Sequence, residues 1–330
     1  MNRKKVLSLL IALLVLAVAA SSTMAALPGS GWWTSFQIQN VGDADATLAY
    51  TAYWEVSEGD DTTYSQDGEI TLAQDSALIY NPGLEPNYPT GPRIGFDTTD
   101  KHLPSGFAGG VEVSADQPIR AVVQVGNNPA GSVGVTGGRA SAFYQGTQGD
   151  SVGSTINFPS MKHDYFGQTT SFYIQAAGGD ATIDATFTSN TGGSYPLTGI
   201  NIPAGKTYLL DPAAAGVPAD TLGSLTVEAT SGQVAGVVIE TPHSANPATF
   251  ALSTKGFAPG DYDTTIVAPT NKLDFWGGNT GWQLLNTSDT VDASVVVTFT
   301  VTNIQPGSAA ETDGIEVGDQ YRSEIDILAG

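Results

Sequence analysis

The carboxylates offer the densest chemistry in this chain, and they gather in three loops. "SEGDD" (57–61) presents Glu58, Asp60 and Asp61, "GDADA" (42–46) presents Asp43 and Asp45, and "PGDYD" (259–263) presents Asp261 and Asp263. Calcium takes about six to eight oxygen ligands, and carboxylates grouped in one loop supply some of them. Glu58, Asp60 and Asp61 are therefore the metal-ligating residues to which the sequence points, with Ca2+ as the ion. Neither EF-hand spacing nor a nonapeptide calcium repeat accompanies them. Asp and Gly are also ordinary turn formers, so solvated turns account for the same clusters.

Other reactive groups are sparse. "GDSVG" (149–153) matches the G-x-S-x-G nucleophile elbow. That elbow needs a strand, a sharp turn and a helix, and no helix pattern follows Ser151. His102, His163 and His243 are the only histidines, and no two share metal-ligand spacing. Cysteine is absent, which excludes disulfides, thiolate zinc sites and thiol catalysis. A glycosidase would need two carboxylates at a set separation in a cleft, and small sandwich units leave little room for one. No catalytic residue is assigned, and the chain is read as non-enzymatic.

The first 25 residues form a secretory signal peptide. Arg3, Lys4 and Lys5 make the positive region, Val6 to Ala20 is uncharged and apolar, and Thr23 and Ala25 fit the small-residue positions before cleavage. Removing residues 1–25 takes away three of 12 Lys+Arg and none of 33 Asp+Glu, leaving a net charge of about −24. Such a chain repels nucleic acid and anionic lipid, so neither is an expected partner. No later segment is apolar enough for membrane insertion, and localisation is expected to be secreted or cell-surface.

The elements around these groups are strands. "ATLAYTAYW" (46–54) puts Leu48, Tyr50, Ala52 and Trp54 on one face, and "ASVVVTFTV" (293–301) does so with Val295, Val297, Phe299 and Val301. Period-two alternation of β-branched and aromatic residues between Gly- and Pro-rich gaps is the pattern of half-buried strands. The pattern also repeats. "TSFQIQN" (34–40) returns as "TSFYIQA" (170–176) and more weakly as "TGWQLLN" (280–286). "ITLAQDSALIYNP" (70–82) aligns with "INIPAGKTYLLDP" (200–212), and "VEVSADQPIRAVVQ" (111–124) with "VEATSGQVAGVVIE" (227–240) once Val111 is shifted by one. Preserved block order marks an internal repeat.

About eight short strands per unit predict tandem Ig-like or jelly-roll-like β-sandwich modules, with a barrel as the alternative. The expected organisation is a signal peptide at 1–25, module 1 at 26–162, module 2 at 163–272 and a partial module 3 at 273–330. The strand near 154–159 is read as the last of module 1. The aromatic pairs Trp32/Trp33, Tyr165/Phe166 and Phe275/Trp276 are expected to pack at the joints between modules.

Two resemblances follow. "IQNVGDADATLAY" (38–50), with Asn40, Gly42 and Ala46, resembles the opening of secreted bacterial surface modules of the CARDB and related Ig-like type. That likeness implies cell-surface, adhesion or scaffold roles without catalytic residues. "IQPGSAAETDGIEVGD" (304–319) resembles a PDZ segment in which a helix begins after the Ser. It implies recognition of peptide C-termini by strand addition. The same residues also fit the repeat, with Ile315 and Val317 at the places of Ile200 and Ile202.

The sequence thus points to an extracellular structural or adhesion protein of repeated β-sandwich modules, with the cut-short third module read either as the end of a fragment of a longer surface protein or as a unit completed by strand donation from a neighbouring molecule. Its expected partners are other surface or matrix proteins, or the same protein by strand addition. The alternative is a carbohydrate-binding module, with polysaccharide as the partner.

Overall fold

The computed structural model describes residues 27, 32–65, 70–80, 103, 107–127, 140–243, 250–272, 280–288 and 290–329. Residues 1–25, most of the 83–106 loop, His102 and the Phe275/Trp276 pair lie outside the described residues. Two compact units are present, residues 1–261 and 262–330. The fold is all-β, and its sheets do not close into a barrel. Among the described residues no helix is long and apolar enough to cross a membrane.

The first unit contains two sandwiches of one topology. In the first, one sheet runs β5 (Ala77–Tyr80), β1 (Trp32–Asn40), β7 (Ile119–Asn127) and β8 (Ala140–Gln145). Its second sheet centres on β2 (Ala46–Trp54), flanked on one side by β3 (Thr63–Ser65) and β4 (Ile70–Leu72), and on the other by β6 (Gly109–Ala115). The second sandwich repeats this with β13 (Thr207–Leu210), β10 (Gln168–Ala176), β15 (Val234–Pro242) and β16 (Leu252–Lys255) in one sheet. Its other sheet runs β12 (Ser194–Ile202), β11 (Ala181–Ser189), β14 (Thr221–Ser231) and β9 (Thr155–His163). All ladders within these sheets are antiparallel, as short loops between sequential strands require.

Alternation drives burial. Along β11, Ala181, Ile183, Ala185 and Phe187 are buried, and the residues between them are half-exposed. Phe172 packs edge-on against Phe158 and Phe187, at ring-centroid distances of 5.1 and 5.8 Å. Each such fully buried side chain contributes about 1.5–3 kcal/mol, and aromatic edge-to-face geometry adds to it.

One strand sits elsewhere than its sequence position suggested. β9, read above as the end of module 1, hydrogen-bonds to β14 in the second sandwich and buries Ile156, Phe158 and Met161 in that core. A tight turn at Tyr165–Gln168 links it directly to β10, which lies in the other sheet. Proximity along the chain before "TSFYIQA" therefore outweighs its place after the first unit's last strand.

The unit 262–330 holds one two-stranded antiparallel sheet, β17 (Ala293–Thr300) with β18 (Gln320–Ile327). A single helical turn, Ala309–Thr312, lies between them, and the Ser308 hydroxyl accepts from the Glu311 amide at its start. Ile315 and Val317 lie in turns outside any strand. The place expected for Val317 belongs to Ile327: Ala181 faces Ile202 across β11 and β12, and Ala293 faces Ile327 across β17 and β18. "TGWQLLN" (280–286) forms no strand. Its counterparts β1 and β10 are each held between two ladder partners, and neither partner exists among the described residues of this unit.

Candidate functional site

The acidic residues prove to be fasteners. Asp45, Asp180 and Asp292 each precede the alanine that opens a strand. Their carboxylates accept from the amides of Gln74, Ala204 and Ala329 at 3.0, 2.9 and 2.9 Å. In all three cases the donor lies two residues past the apolar residue facing that alanine, Leu72, Ile202 or Ile327. Asn40 and Asn286 also share a role. Each amide nitrogen bridges to two carbonyls, Ala44 and Leu72 in one case and Val291 and Ile327 in the other. Each side-chain oxygen also accepts from the amide two residues on, the turn-forming habit of Asn.

The expected calcium loop has a different arrangement. Glu58 lies in a short 3-10 turn, Val56–Glu58. The Asp60 carboxylate accepts from the Thr62 amide at 2.8 Å, and hydrogen bonds from Thr62 hold its carboxyl below the ordinary range. The Lys206 ammonium donates to the Asp60 carbonyl at 2.6 Å and to the Asp61 carboxylate at 2.7 Å. Lys206 thus already occupies the place where a cation would neutralise Asp61. Among the described residues, no group of three or more His, Asp or Glu is placed to hold a metal ion.

That ammonium crosses between the two sandwiches. The chain also forms a parallel bridge there between Glu55 and Thr207. Gly110 abuts Gln175 and Thr207 so closely that a Cβ would stand 2.6–2.7 Å from their side chains. Gly205, at φ +74°, lies against the Tyr53 ring. Nearby, Leu27, Val125 and Ile239 form a buried cluster flanked by Trp32, Tyr144 and Tyr173. Trp32 therefore packs at a joint, as its type and place predicted. Desolvation pushes the Tyr144 phenol up to about 12. Tyr173 is raised further, by desolvation first and then by Glu55 and Tyr144. Such groups belong to a dry, close-fitted interface.

"GDSVG" meets "PGDYD" at the other end of the second sandwich. Ser151 donates to Asp261 at 3.1 Å, and Lys255 donates to Ser151 and, at 2.7 Å, to Asp261. Burial opposes ionisation of Asp261. Hydrogen bonds from Lys255, the Ala258 amide and Ser151, with the Lys255 charge, outweigh it and hold this carboxyl below its ordinary range. A serine nucleophile with a lysine base needs that lysine free to accept a proton. Here Lys255 is the cationic half of an ion pair, and Ser151 bonds both partners. The arrangement ties the start of the sandwich to its end. Asp263 accepts from the Thr265 amide, an ordinary turn contact.

The turn between β9 and β10 is unlike these locks. Tyr165 and Gln168 exchange two backbone hydrogen bonds around Phe166 and Gly167, which have φ of +51° and +70°. A two-residue hairpin turn wants positive φ at both positions, and an aromatic residue there carries strain. Phe166 is 83% exposed, with the Tyr165 ring 4.6 Å away. This pair does not fill a joint. His163 donates through Nδ1 to the Val217 carbonyl at 2.6 Å, and its ring lies 5.9 Å from that of His243. Lys162 joins Glu240 at 2.8 Å and Gln168 at 2.6 Å.

Sequence reasoning missed Lys206 and Lys255. Each is a rare cation in an acidic chain, and that rarity was the available signal. Comparisons with protein-family models, with curated proteins and with solved structures found no match to this chain.

Proposed function

We propose that this chain is a non-enzymatic structural or adhesion protein, exported through its 1–25 signal and working at the cell surface or in an extracellular matrix. The supporting observation is the joint between the sandwiches, where Lys206 reaches across to Asp60 and Asp61. Carboxylates and lysines that might have served chemistry hold turns and joints instead. A rigid run of similar modules suits a spacer or scaffold, and a strong negative charge suits a hydrated exterior. The test uses the labelled mature chain with washed producing cells and their extracted matrix. Saturable retention on the envelope or matrix is expected. No retention, or turnover of ester, peptide or glycoside substrates, would overturn the proposal.

Phe166 favours a second reading, carbohydrate binding. An exposed aromatic ring held on a strained turn is a suitable face for a sugar ring. A glycan array should then show saturable binding that Phe166→Ala removes, with the melting temperature unchanged.

A further inference from the structure

We propose that the outer edge of β6 in the first sandwich is completed by residues 265–272 of a second copy of this chain, added antiparallel in the place that β9 fills in the second sandwich. This rests on the structural-array reading and names the contact through which copies join.

The first sandwich shows the place. β14 lies between β11 and β9, whereas β6 pairs only with β2 among the described residues. The inward side chains register the difference. Leu225, Val227, Val234 and Val238 are buried in the second sandwich. Their counterparts Val111, Val113, Ile119 and Val123 are only partly buried. β9 closes the second core with Ile156 and Phe158, and the Phe158 and Ile156 side chains pack against Gly236 and Gly256. Of the chain just before the first sandwich, Leu27 is the described residue. Leu27 is packed with Val125 and Ile239 at the joint.

The C-terminal unit carries the matching strand. "TINFPSMKHDYFG" (155–167) returns 110 residues later as "TIVAPTNKLDFWG" (265–277), with Thr, Ile, Pro, Lys, Asp and Gly at the same places. The likeness extends to contacts: the Lys162 amide donates to Thr170 Oγ1 and the Lys272 amide to Thr280 Oγ1, both at 3.0 Å. Yet residues 262–272 form no strand, and Ile266 and Val267 are 65% and 82% exposed where Ile156 is fully buried. One segment has the sequence of an edge strand without a ladder, and one edge has lost the strand of that sequence. Backbone hydrogen bonding at an open edge joins such halves.

The repeat also sets the register. Val227 faces Ile156 and Glu228 faces Thr155. Val227 and Val113 occupy equivalent places, opposite Ala185 and Tyr50. Ile266 should therefore face Val113, and Thr265 should face Ser114.

The chain has no cysteine, so engineered pairs report without background. Full-length mature Ser114→Cys and Thr265→Cys chains, carrying tags of different mass, are mixed and oxidised. A mixed disulfide dimer is expected, in at least about tenfold higher yield than from Ser114→Cys with Asn271→Cys, whose Cα atoms the register holds too far apart to bridge. Sedimentation of the unmodified chain should show concentration-dependent association. Ile266→Asp should raise its dissociation constant at least about tenfold, or roughly 1.4 kcal/mol, with the melting temperature of the sandwiches retained. Absence of the mixed dimer, a link formed only within a single Ser114→Cys/Thr265→Cys chain, or association indifferent to Ile266→Asp would overturn the proposal. A monomer that still coats cells would sink strand addition alone and leave the adhesive role standing.

Discussion

The two sandwiches of the first unit share a topology, except that β3 and β4 together take the place of β12, and β9 has no counterpart among the described residues of the first. Both place their opening strand, β1 or β10, at the centre of a sheet, and both pack it over the strand that follows. In the second, β9 adds Ile156, Phe158 and Met161, and the core side chains of β14 and β15 are sealed. In the first, the same positions of β6 and β7 are only partly covered, and Trp54, Tyr64 and Phe107 gather into an aromatic cluster with centroids 4.9–6.4 Å apart. A repeated sequence therefore does not guarantee equal cores. Where an edge strand pairs, the inner face is dry; beside β6, which has no outer partner among the described residues, the inward residues keep contact with water.

Removing the extra strand's anchor is the most severe way to break this comparison. Phe158→Ala should cost the second sandwich about 3–5 kcal/mol. The second sandwich has no tryptophan, whereas Trp54 lies in the first. In a chain whose other tryptophans, Trp32, Trp33, Trp276 and Trp282, are replaced by Phe, urea unfolding should therefore show a far-ultraviolet transition moved to lower denaturant while the Trp54 fluorescence transition stays closer to its place. Coincident shifts would mean that the cores do not differ in this way.

The joint gives the next effect. Tyr144 and Tyr173 have raised folded-state values, so the stability they contribute is complete below about pH 10 and is lost as pH rises from there. For Tyr144 that window runs from 10 to about 12. Melting temperature should fall across it, and Tyr144→Phe should flatten the fall. Smaller again is Lys206→Met, which keeps the apolar stem and removes the ammonium. Because Asp61 is 93% exposed, solvent screens much of that ion pair, and the loss should be about 1 kcal/mol. Its clearer sign would be two unfolding transitions moving apart as the sandwiches uncouple. Smallest is the response to a chelator: with Lys206 on Asp61, removing calcium should move the melting temperature by less than about 1 °C. A larger fall would restore Glu58, Asp60 and Asp61 as a calcium site.

Strands and their inward residues were readable because alternation carries the information locally. Leu48, Tyr50 and Ala52 are buried as their spacing implied. The repeat was readable for the same reason. What could not be read was which sheet claims a strand near a unit boundary, as with β9, since its ladder partner β14 lies about 65 residues further along the chain. A long connection also hid the right partner for β17: a turn sequence at Ile315 and Val317 imitates a strand, while the true partner arrives at Ile327. The site shows a similar limit. Carboxylate clusters are visible in sequence, but Lys206 lies about 145 residues from Asp61 and Lys255 104 residues from Ser151. Only the folded chain brings such partners together.

The bridge from Glu55 to Thr207 has a mechanical implication. A tether pulled along its length yields first where the fewest bonds resist shear, and two sandwiches connected by chain alone would swivel under small loads. Here backbone pairing, a cation grasping two neighbouring residues and a wedge of aromatic rings act side by side across the seam. Bending or twisting at this seam would strain all three at once.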